Sequence, residues 1–334
     1  MSDTREYGRG TVREESKDSR LRKALRSREM SLAIVILVVV AGLSILKPEA
    51  FISFKNFEAI SNGMVYDLLL AAGLTIVLIL WGIDLSVGSV MALTGVITAL
   101  LLRAGVPIPI AVLLGLGASM VCGTINGYLV ARFKIAPFIV TLAMMAMARG
   151  LATVLTSGYY LSNLPKGFLL LGRGKFAGVS ISVLVVAVIL VTLEILFRRW
   201  KPLHQMYFVG TNPEAARLSG LRTRLVIMSG YMMSSTLAGL AAIFLTSRLA
   251  MGFAGFGLQA ELRAIAAAVL GGASFAGGSG TILGAALGVT LLALINNGFV
   301  LLNGSPDWQQ AVSGTILLVA VGVDAYRRRK ERRD

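Results

Sequence analysis

Long apolar blocks separated by short polar segments dominate this chain. Each block is close to the length of about 20 residues that a helix needs to cross a bilayer. The blocks are continuously apolar and lack the period-2 alternation of barrel strands. The pattern predicts an all-α bundle of about ten membrane spans, of which the first and eighth are the shortest. The predicted spans are residues 31–46, 62–80, 86–102, 108–130, 136–156, 178–197, 225–247, 261–275, 281–301 and 309–326.

The basic residues orient these spans. Of the 32 Lys and Arg residues, 23 fall within residues 1–30, 132–134, 198–224 and 327–334. With ten spans, all four clusters lie on one side of the membrane, which is the positive-inside pattern. The net charge of +15 is therefore explained by orientation, with attraction to anionic lipid as a second contribution, rather than by nucleic-acid binding. We expect both termini to be cytoplasmic.

Three regions follow from this pattern. We expect a disordered basic tail without a cleavable signal at residues 1–30, a transmembrane domain at residues 31–326 and a basic tail at residues 327–334. The single cysteine, Cys122, lies in an apolar block. It can form neither an intrachain disulfide nor a two-cysteine metal site, so we interpret it as a packing residue and expect no metal.

The cytoplasmic loop 198–224 carries a short segment with strong helix signals. Asn212 can cap the helix start, Pro213 suits the first helical position and Gly220 stops the helix. Such a short helix is marginal in water, so a partner surface that binds it would supply the missing stability. The alternative is an ordinary amphipathic helix on the membrane surface. The residues expected to take part are Gly210, Asn212, Glu214, Ala215, Ala216, Arg217, Leu218 and Gly220.

Two glycine-rich segments predict sharp chain reversals. In the first, at the cytoplasmic mouth, Asp84 or Ser86 can cap the third span, and the segment is a candidate gate. The second lets the eighth and ninth spans fold back on each other. Neither contains the P-loop string Gly-x-x-x-x-Gly-Lys-Ser/Thr, so we do not expect this chain to bind ATP itself. The candidate gating and turn residues are Gly82, Asp84, Ser86, Gly88, Gly271, Gly272, Gly277 and Gly278.

Few ionisable residues lie within the predicted spans. Glu194 is one turn from Arg198 and can pair with it. Asp67 and Arg149 have no partner visible in the sequence, and they could pair with each other. Because Asp67 lies near the outer end of its span and the only histidine, His204, is in the loop, a mid-membrane proton relay is not indicated.

Regularly spaced glycines predict close helix packing, and a short internal similarity suggests a repeat. Gly123-x-x-x-Gly127 and Gly280-x-x-x-Gly284-x-x-x-Gly288 favour close helix approach, within one chain or between two copies. The segment 125–128 in span four resembles 295–299 in span nine. Spans five apart run in opposite directions, which fits an inverted repeat.

Four motifs carry a family resemblance. They are Trp81 to Ser89, Ala136 to Met145 with Arg149-Gly150, the Glu214-Ala215-Ala216-x-x-x-Gly220 pattern, and Glu261 to Gly280 with Asn296-Asn297-Gly298. In this order and spacing the chain resembles the membrane permease of ribose-type ABC sugar importers, within the branched-chain amino-acid/ribose permease superfamily. That group includes permeases for other pentoses, rhamnose and autoinducer-2, and the likeness covers residues 31–326.

The resemblance implies a permease that pairs with a second permease subunit in a bacterial inner membrane. Cytoplasmic ATPase subunits would bind ATP and Mg²⁺, a periplasmic binding protein would deliver the sugar, and this chain would be no enzyme and hold no cofactor. The 214–220 pattern resembles the family's coupling helix, which transmits ATPase closure to the membrane. Hydroxyl and amide groups could line the sugar path or simply link helices: Asn62, Thr75, Asn126, Thr141, Asn296, Asn297 and Gln309.

Other functions stay open at this stage. A branched-chain amino-acid permease shares the architecture. An ion-driven secondary transporter would work without an ATPase. A membrane-embedded enzyme would need clustered carboxylates or a His/Cys/Ser cluster, and the sequence shows no such cluster.

Overall fold

The computed structural model describes residues 28–304 and the single positions 311, 314, 315, 318 and 322. The predicted tails, apart from residues 28–30, and most of the predicted tenth span lie outside the described residues. Within residues 28–304 the chain forms helices joined by short loops and one small hairpin. In chain order these are α1 (Arg28–Leu46), α2 (Pro48–Phe51), α3 (Phe54–Ile79), α4 (Val87–Arg103), α5 (Ile108–Phe133), α6 (Pro137–Thr156), α7 (Lys166–Arg173), β1 (Lys175–Phe176), β2 (Val179–Ser180), α8 (Ile181–Arg199), α9 (Lys201–Thr211), α10 (Pro213–Leu218), α11 (Thr223–Leu249), α12 (Ala260–Leu270) and α13 (Ile282–Leu301).

The long helices match the predicted spans. Among the described residues, seven helices are long and apolar enough to cross a membrane: α1, α3, α5, α6, α8, α11 and α13. The shorter apolar helix α4 corresponds to the predicted third span. The prediction of an all-α membrane protein is confirmed. The count of ten spans is not confirmed.

The predicted eighth span has a different structure. Helix α12 has 11 residues, about 16 Å at 1.5 Å per residue, which is half of the roughly 30 Å hydrocarbon core. The irregular segment 250–259 precedes it, and Gly252 pairs with Leu161 near the far end of the bundle. Beyond α12, Gly278 donates a hydrogen bond to the Ile79 carbonyl at the other end. Residues 250–270 therefore cross the bundle together, half irregular and half helical.

A second irregular segment lies between α3 and α4, and the first turn of α4, which follows it, meets segment 250–259 inside the bundle. A Cβ on Gly88 would lie 2.2 Å from the Gly257 carbonyl oxygen, and a Cβ on Gly257 2.5 Å from the Gly88 oxygen. Only glycine allows this approach, and Gly257 has a φ of +67°. In both places a long helix is followed by irregular backbone and a shorter helix. The two sets lie five predicted spans apart, as an inverted repeat would produce.

The core lies along α11, which packs against α3, α4, α5 and α7. Small residues bring these helices close together. A Cβ on Gly127 of α5 would lie 2.7 Å from the Met228 Cα, and one on Gly288 of α13 2.1 Å from the Ala267 oxygen. Both predicted glycine series thus serve packing within the chain. Cys122 is buried, as expected of a packing residue.

Helix α7 lies where the sequence predicts a polar connection between two spans. Phe168 is fully buried, and the Ser247 hydroxyl accepts a hydrogen bond from the Gly172 amide at 2.7 Å. These contacts fix α7 on α11. The neighbouring Tyr159 and Tyr160 remain exposed.

Candidate functional site at the basic end of the bundle

The basic end of the bundle is defined here by Lys134, Arg198 and the loop 198–224, and it carries the capped helix α10. The Asn212 Oδ1 accepts hydrogen bonds from the amides of Glu214 at 3.1 Å and Ala215 at 3.0 Å. Pro213 occupies the first turn, and Gly220 ends the segment with a φ of +85°. The predicted helix and its caps are confirmed.

The exposed surface of α10 presents charge and one large apolar side chain. Arg217 and Glu214 form an ion pair at 2.5 Å. This hydrogen bond lowers the pKa of Glu214 and raises that of Arg217, so both groups are charged at neutral pH. Leu218 is 79% exposed, whereas Ala216 is buried against the bundle. The helix therefore has one face toward the protein and one toward solvent.

Helix α9 precedes α10 and was not predicted. Its buried residues, Leu203, Met206, Val209 and Gly210, repeat at helical spacing, a pattern that could have revealed it. The Tyr207 hydroxyl donates a hydrogen bond to the Gly280 carbonyl at 2.9 Å. A Cβ on Gly210 would lie 1.7 Å from the Ile79 oxygen, so α9 contacts the end of α3 backbone to backbone.

The turn 271–280 completes this junction. Gly277 and Gly278 have φ values of +80° and +71°. A Cβ on Gly277 would lie 2.5 Å from the Gly210 oxygen, and one on Gly278 2.1 Å from the Thr211 Oγ1. Three segments that are distant in sequence are therefore in direct contact. They are α9, the end of α3 and the glycine turn. We call this contact the α9 junction.

The remaining turn glycines bring α12 and α13 together. A Cβ on Gly271 would lie 2.2 Å from the Gly284 oxygen, and Gly272 has a φ of +102°. The expectation that this turn folds two helices back on each other is confirmed.

The segment 82–88 is more deeply placed than a mouth element. Asp84 and Ser86 are both 0% exposed. The Asp84 carboxylate accepts hydrogen bonds from the Ser86 amide at 3.0 Å, the Ser86 hydroxyl at 2.6 Å and the Ser234 hydroxyl at 3.1 Å. Helix α4 begins after Ser86, whose side chain makes no capping bond. Of the two residues predicted as alternatives for the cap, Ser86 makes no capping bond, and Asp84 accepts the amide of the residue that precedes the helix.

Cavities lie on both sides of α10. One of about 680 Å³ is bordered by Trp81, Gly82 and Lys134 together with Glu214 and Arg217. Another of about 830 Å³ separates α10 from α9 and is lined by Arg198, Lys201 and Phe208, among others. Helix α10 thus stands between two recesses, with the first reaching the start of the irregular segment.

The candidate path residues that the structure describes lie at separate places in the bundle. The Asn126 amide donates to the Ser86 hydroxyl at 3.0 Å, and the Thr141 hydroxyl donates to the carbonyls of Pro137 at 2.9 Å and Ile83 at 3.2 Å. These two residues hold the buried segment. The others are placed as follows: Thr75 and Asn62 bond to carbonyls of their own helix, Asn297 pairs with Asn56, Asn296 is half-buried and Gln309 lies outside the described residues.

The charges within the spans pair differently from the prediction. The Glu194–Arg198 pair is present at 2.5 Å, and Glu194 also accepts the Leu283 amide at 3.1 Å. Asp67 lies 3.6 Å from Arg263, and Arg149 donates to the carbonyls of Ala254 and Phe256. The proposed pair of Asp67 with Arg149 is therefore wrong, because the irregular segment 250–259 takes up the guanidinium.

Within the described part of the chain, no group of three or more His, Cys, Asp and Glu residues could hold a metal ion.

The comparisons with known proteins agree with this architecture. A family model described as "Branched-chain amino acid transport system / permease component" matches residues 57–321. The "Ribose import permease protein RbsC" of Bacillus subtilis (strain 168) is 38% identical over 295 residues, which cover 88% of this chain and 91% of the relative. The protein of the same name from Escherichia coli (strain K12) is 34% identical over 303 residues, 89% of this chain and 93% of its own length. The "L-arabinose ABC transporter permease protein AraH" of Azospirillum brasilense is 34% identical over 301 residues, 90% and 88% of the two chains. No solved structure matches.

Proposed function

The chain belongs to the family of permease components of branched-chain amino acid transport systems, and we propose that it is the membrane permease subunit of an ATP-binding-cassette importer for a monosaccharide. Relatives named as ribose and arabinose permeases match about nine tenths of its length. Their substrates favour a ribose-like pentose or a related sugar.

The observation that carries the mechanism is the α9 junction. An exposed, internally paired helix continues into α9, and α9 touches the end of α3 and the turn 271–280 through glycine backbone. With no side chains between them, a displacement of α10 by a partner would be transmitted directly to two membrane elements. This is the arrangement expected of a coupling helix.

The partners follow from this role. The sequence lacks the P-loop string, so ATP and Mg²⁺ would be bound by separate cytoplasmic ATPase subunits that receive α10. A periplasmic binding protein would dock at the opposite end, and a second permease subunit, identical or different, would complete the membrane part. The chain would lie in a bacterial inner membrane with both termini in the cytoplasm, and would itself catalyse no covalent reaction.

Alternating access supplies the transport cycle. Closure of the ATPases would move α10 and α9, and the movement would reach the irregular segment 80–86 through Ile79, whose carbonyl contacts α9. Irregular backbone inside a bundle has no continuous hydrogen-bond ladder to break, so it is suited to change conformation.

The test exchanges the two charges of α10 in the double variant Glu214→Arg/Arg217→Glu. The variant keeps the ion pair within the helix but reverses the charges presented to the ATPase. In proteoliposomes with the ATPase and the binding protein, we expect loss of binding-protein-stimulated ATP hydrolysis and of sugar uptake, with normal membrane insertion. Normal hydrolysis and uptake would refute the assigned role.

The family description itself favours one second candidate, a branched-chain amino-acid permease. Uptake of labelled ribose against labelled leucine in the same proteoliposomes separates the two. Uptake by the chain without any ATPase, driven by an ion gradient, would instead indicate a secondary transporter.

A further inference from the structure

A group of polar side chains lies at mid-depth on one outer side of the bundle. We name it the polar belt: Asp67, Arg149, Gln259, Glu261 and Arg263. The expectation that Asp67 lies near the outer end of its span is wrong, because α3 begins at Phe54 and Asp67 is the fourteenth of its 26 residues. Arg149 is the thirteenth residue of α6, about 18 Å from the start of that helix, and so close to the middle of a hydrocarbon core of roughly 30 Å. Glu261 lies in the first turn of α12, where its Oε2 is within 2.6 Å of the position of a Cβ on Gly88.

The members of the polar belt keep contact with solvent-accessible space. The Asp67 and Arg263 side chains, which pair at 3.6 Å, are 27% and 37% exposed. Arg149 and Glu261 are half-buried and interact electrostatically, and Gln259 is exposed. Arg149 also donates to the Phe256 carbonyl at 2.6 Å, which places α6 against the irregular segment.

Lipid is an unsuitable neighbour for such a surface. Ionisable groups at this depth are costly in hydrocarbon and face a water-filled cavity or another protein. The surface of α6 differs between the side that carries Arg149 and the opposite side. Ala146 and Thr153, three and four residues from Arg149, share its helix face and are exposed, together with Leu142, which is 40% exposed. On the other side, Met147, Leu151 and Val154 are 58%, 52% and 75% exposed and wholly apolar, as expected of a lipid-facing strip.

We propose that the polar belt and the adjoining face of α6 line a water-filled path through which the sugar crosses the membrane. Arg149 and Arg263 offer hydrogen-bond donors, Glu261 and Asp67 offer acceptors, and the Gln259 amide offers both, which matches the alternating groups of a polyol. A second permease subunit placed against this face closes the path on its open side. The assignment rests on the proposed function, and it names path residues that the search for uncharged hydroxyl and amide groups did not select.

The first test measures water access by thiol labelling and needs no transport. Single cysteines are introduced at Ala146 and Thr153 on the belt side and, as neighbours at the same depth, at Met147 and Val154 on the apolar side, all in a Cys122→Ala background. A charged, membrane-impermeant methanethiosulfonate is applied to the reconstituted permease. A thiol in hydrocarbon has a raised pKa, and each pKa unit lowers the thiolate fraction about tenfold, so we expect the belt-side cysteines to react at least about tenfold faster. Equal rates at Ala146→Cys and Met147→Cys overturn the proposal, since water would then reach the belt side no better than the apolar side.

The second test links the path to the sugar. In proteoliposomes with the ATPase and the binding protein, complete modification of Ala146→Cys is expected to block ribose uptake, whereas modification of Met147→Cys leaves it unchanged. Unchanged uptake after complete modification of Ala146→Cys overturns the assignment of the path. Failure of the proposed function is recognised separately, because the unmodified protein would then take up no sugar at all.

Discussion

At the scale of single residues, glycine allows the close backbone approach on which the α9 junction depends. Gly210, Gly277 and Gly278 bring three backbones into contact, and a side chain at any of them would occupy the space of a carbonyl or hydroxyl oxygen. The junction therefore depends on the lack of a side chain at these three positions. A sequence pattern can show that glycines are present, but their contacts emerge only when distant segments come together.

The Gly210→Ala variant tests the importance of this approach. Its methyl group would meet the Ile79 oxygen at 1.7 Å, and the resulting overpacking is expected to cost about 1–3 kcal/mol of the free energy that holds α9 in place. We expect stimulated ATP hydrolysis to fall strongly while the protein still inserts. Gly63→Ala on α3 is the matched control, because no atom lies within 4 Å of a Cβ there. Equal activity of the two variants would contradict the role of the junction.

Tyr207 supplies the side-chain hydrogen bond of the same junction. Burial raises the pKa of Tyr207 to about 12, so its hydroxyl stays protonated and donates to Gly280 throughout the working range. Because the folded-state pKa is raised, the unfolded tyrosine ionises first, and stability from this group falls only above about pH 10. Tyr207→Phe should cost about 0.5–1.5 kcal/mol and lower stimulated hydrolysis by the same factor at every pH from about 6 to 9. A ratio of variant to parent activity that changes with pH in that range would show that another group carries the contact.

At the scale of elements, the sequence predicts those features that depend on neighbouring residues and fails for those that depend on remote segments. Helix α10 was predicted from its cap, its proline and its terminal glycine, and these signals act within one turn. Helix α9 is not predicted, because its few apolar positions lie within a loop whose charged residues dominate the pattern. The partners of Asp67 and Arg149 were assigned wrongly because they come from segment 250–263, which is remote in sequence. The sequence predicts a full span at residues 261–275, because apolar composition does not reveal that half of the crossing is irregular.

The cap of α10 gives a prediction for an element. A helix of six residues is marginal without its cap, and Asn212→Ala should cost about 1 kcal/mol of helix stability. We expect weaker binding of the ATPase to the reconstituted permease, measured by titration of stimulated hydrolysis. Asn212→Ser keeps a side-chain acceptor and should retain most of the affinity. If the alanine and serine variants bind equally well, the preformed helix is not what the ATPase recognises.

At the scale of the whole molecule, the structure places basic residues of the predicted clusters 132–134 and 198–224 at one end. Lys134 borders the same cavity as Glu214 and Arg217, and Arg198 borders the neighbouring cavity with Ala215. At the other end, Leu161 pairs with Gly252 close to Tyr160. Between Gly252 at this end and the turn 271–280 at the basic end, the chain must cross the bundle. Helix α12 alone is too short for that crossing. The orientation therefore depends on an irregular crossing as well as on the regular helices.

The sidedness of this arrangement can be measured directly. Cysteines at Leu218 and Tyr160, which are 79% and 64% exposed, are introduced separately into the Cys122→Ala background. If the basic end is cytoplasmic, an impermeant thiol reagent should label Tyr160→Cys in cells whose inner membrane is sealed and whose outer face is accessible. Leu218→Cys should be labelled only after that membrane is opened. Labelling of Leu218→Cys in sealed cells would place α10 on the face away from nucleotide, where no ATPase could reach it, and coupling through the α9 junction would be impossible.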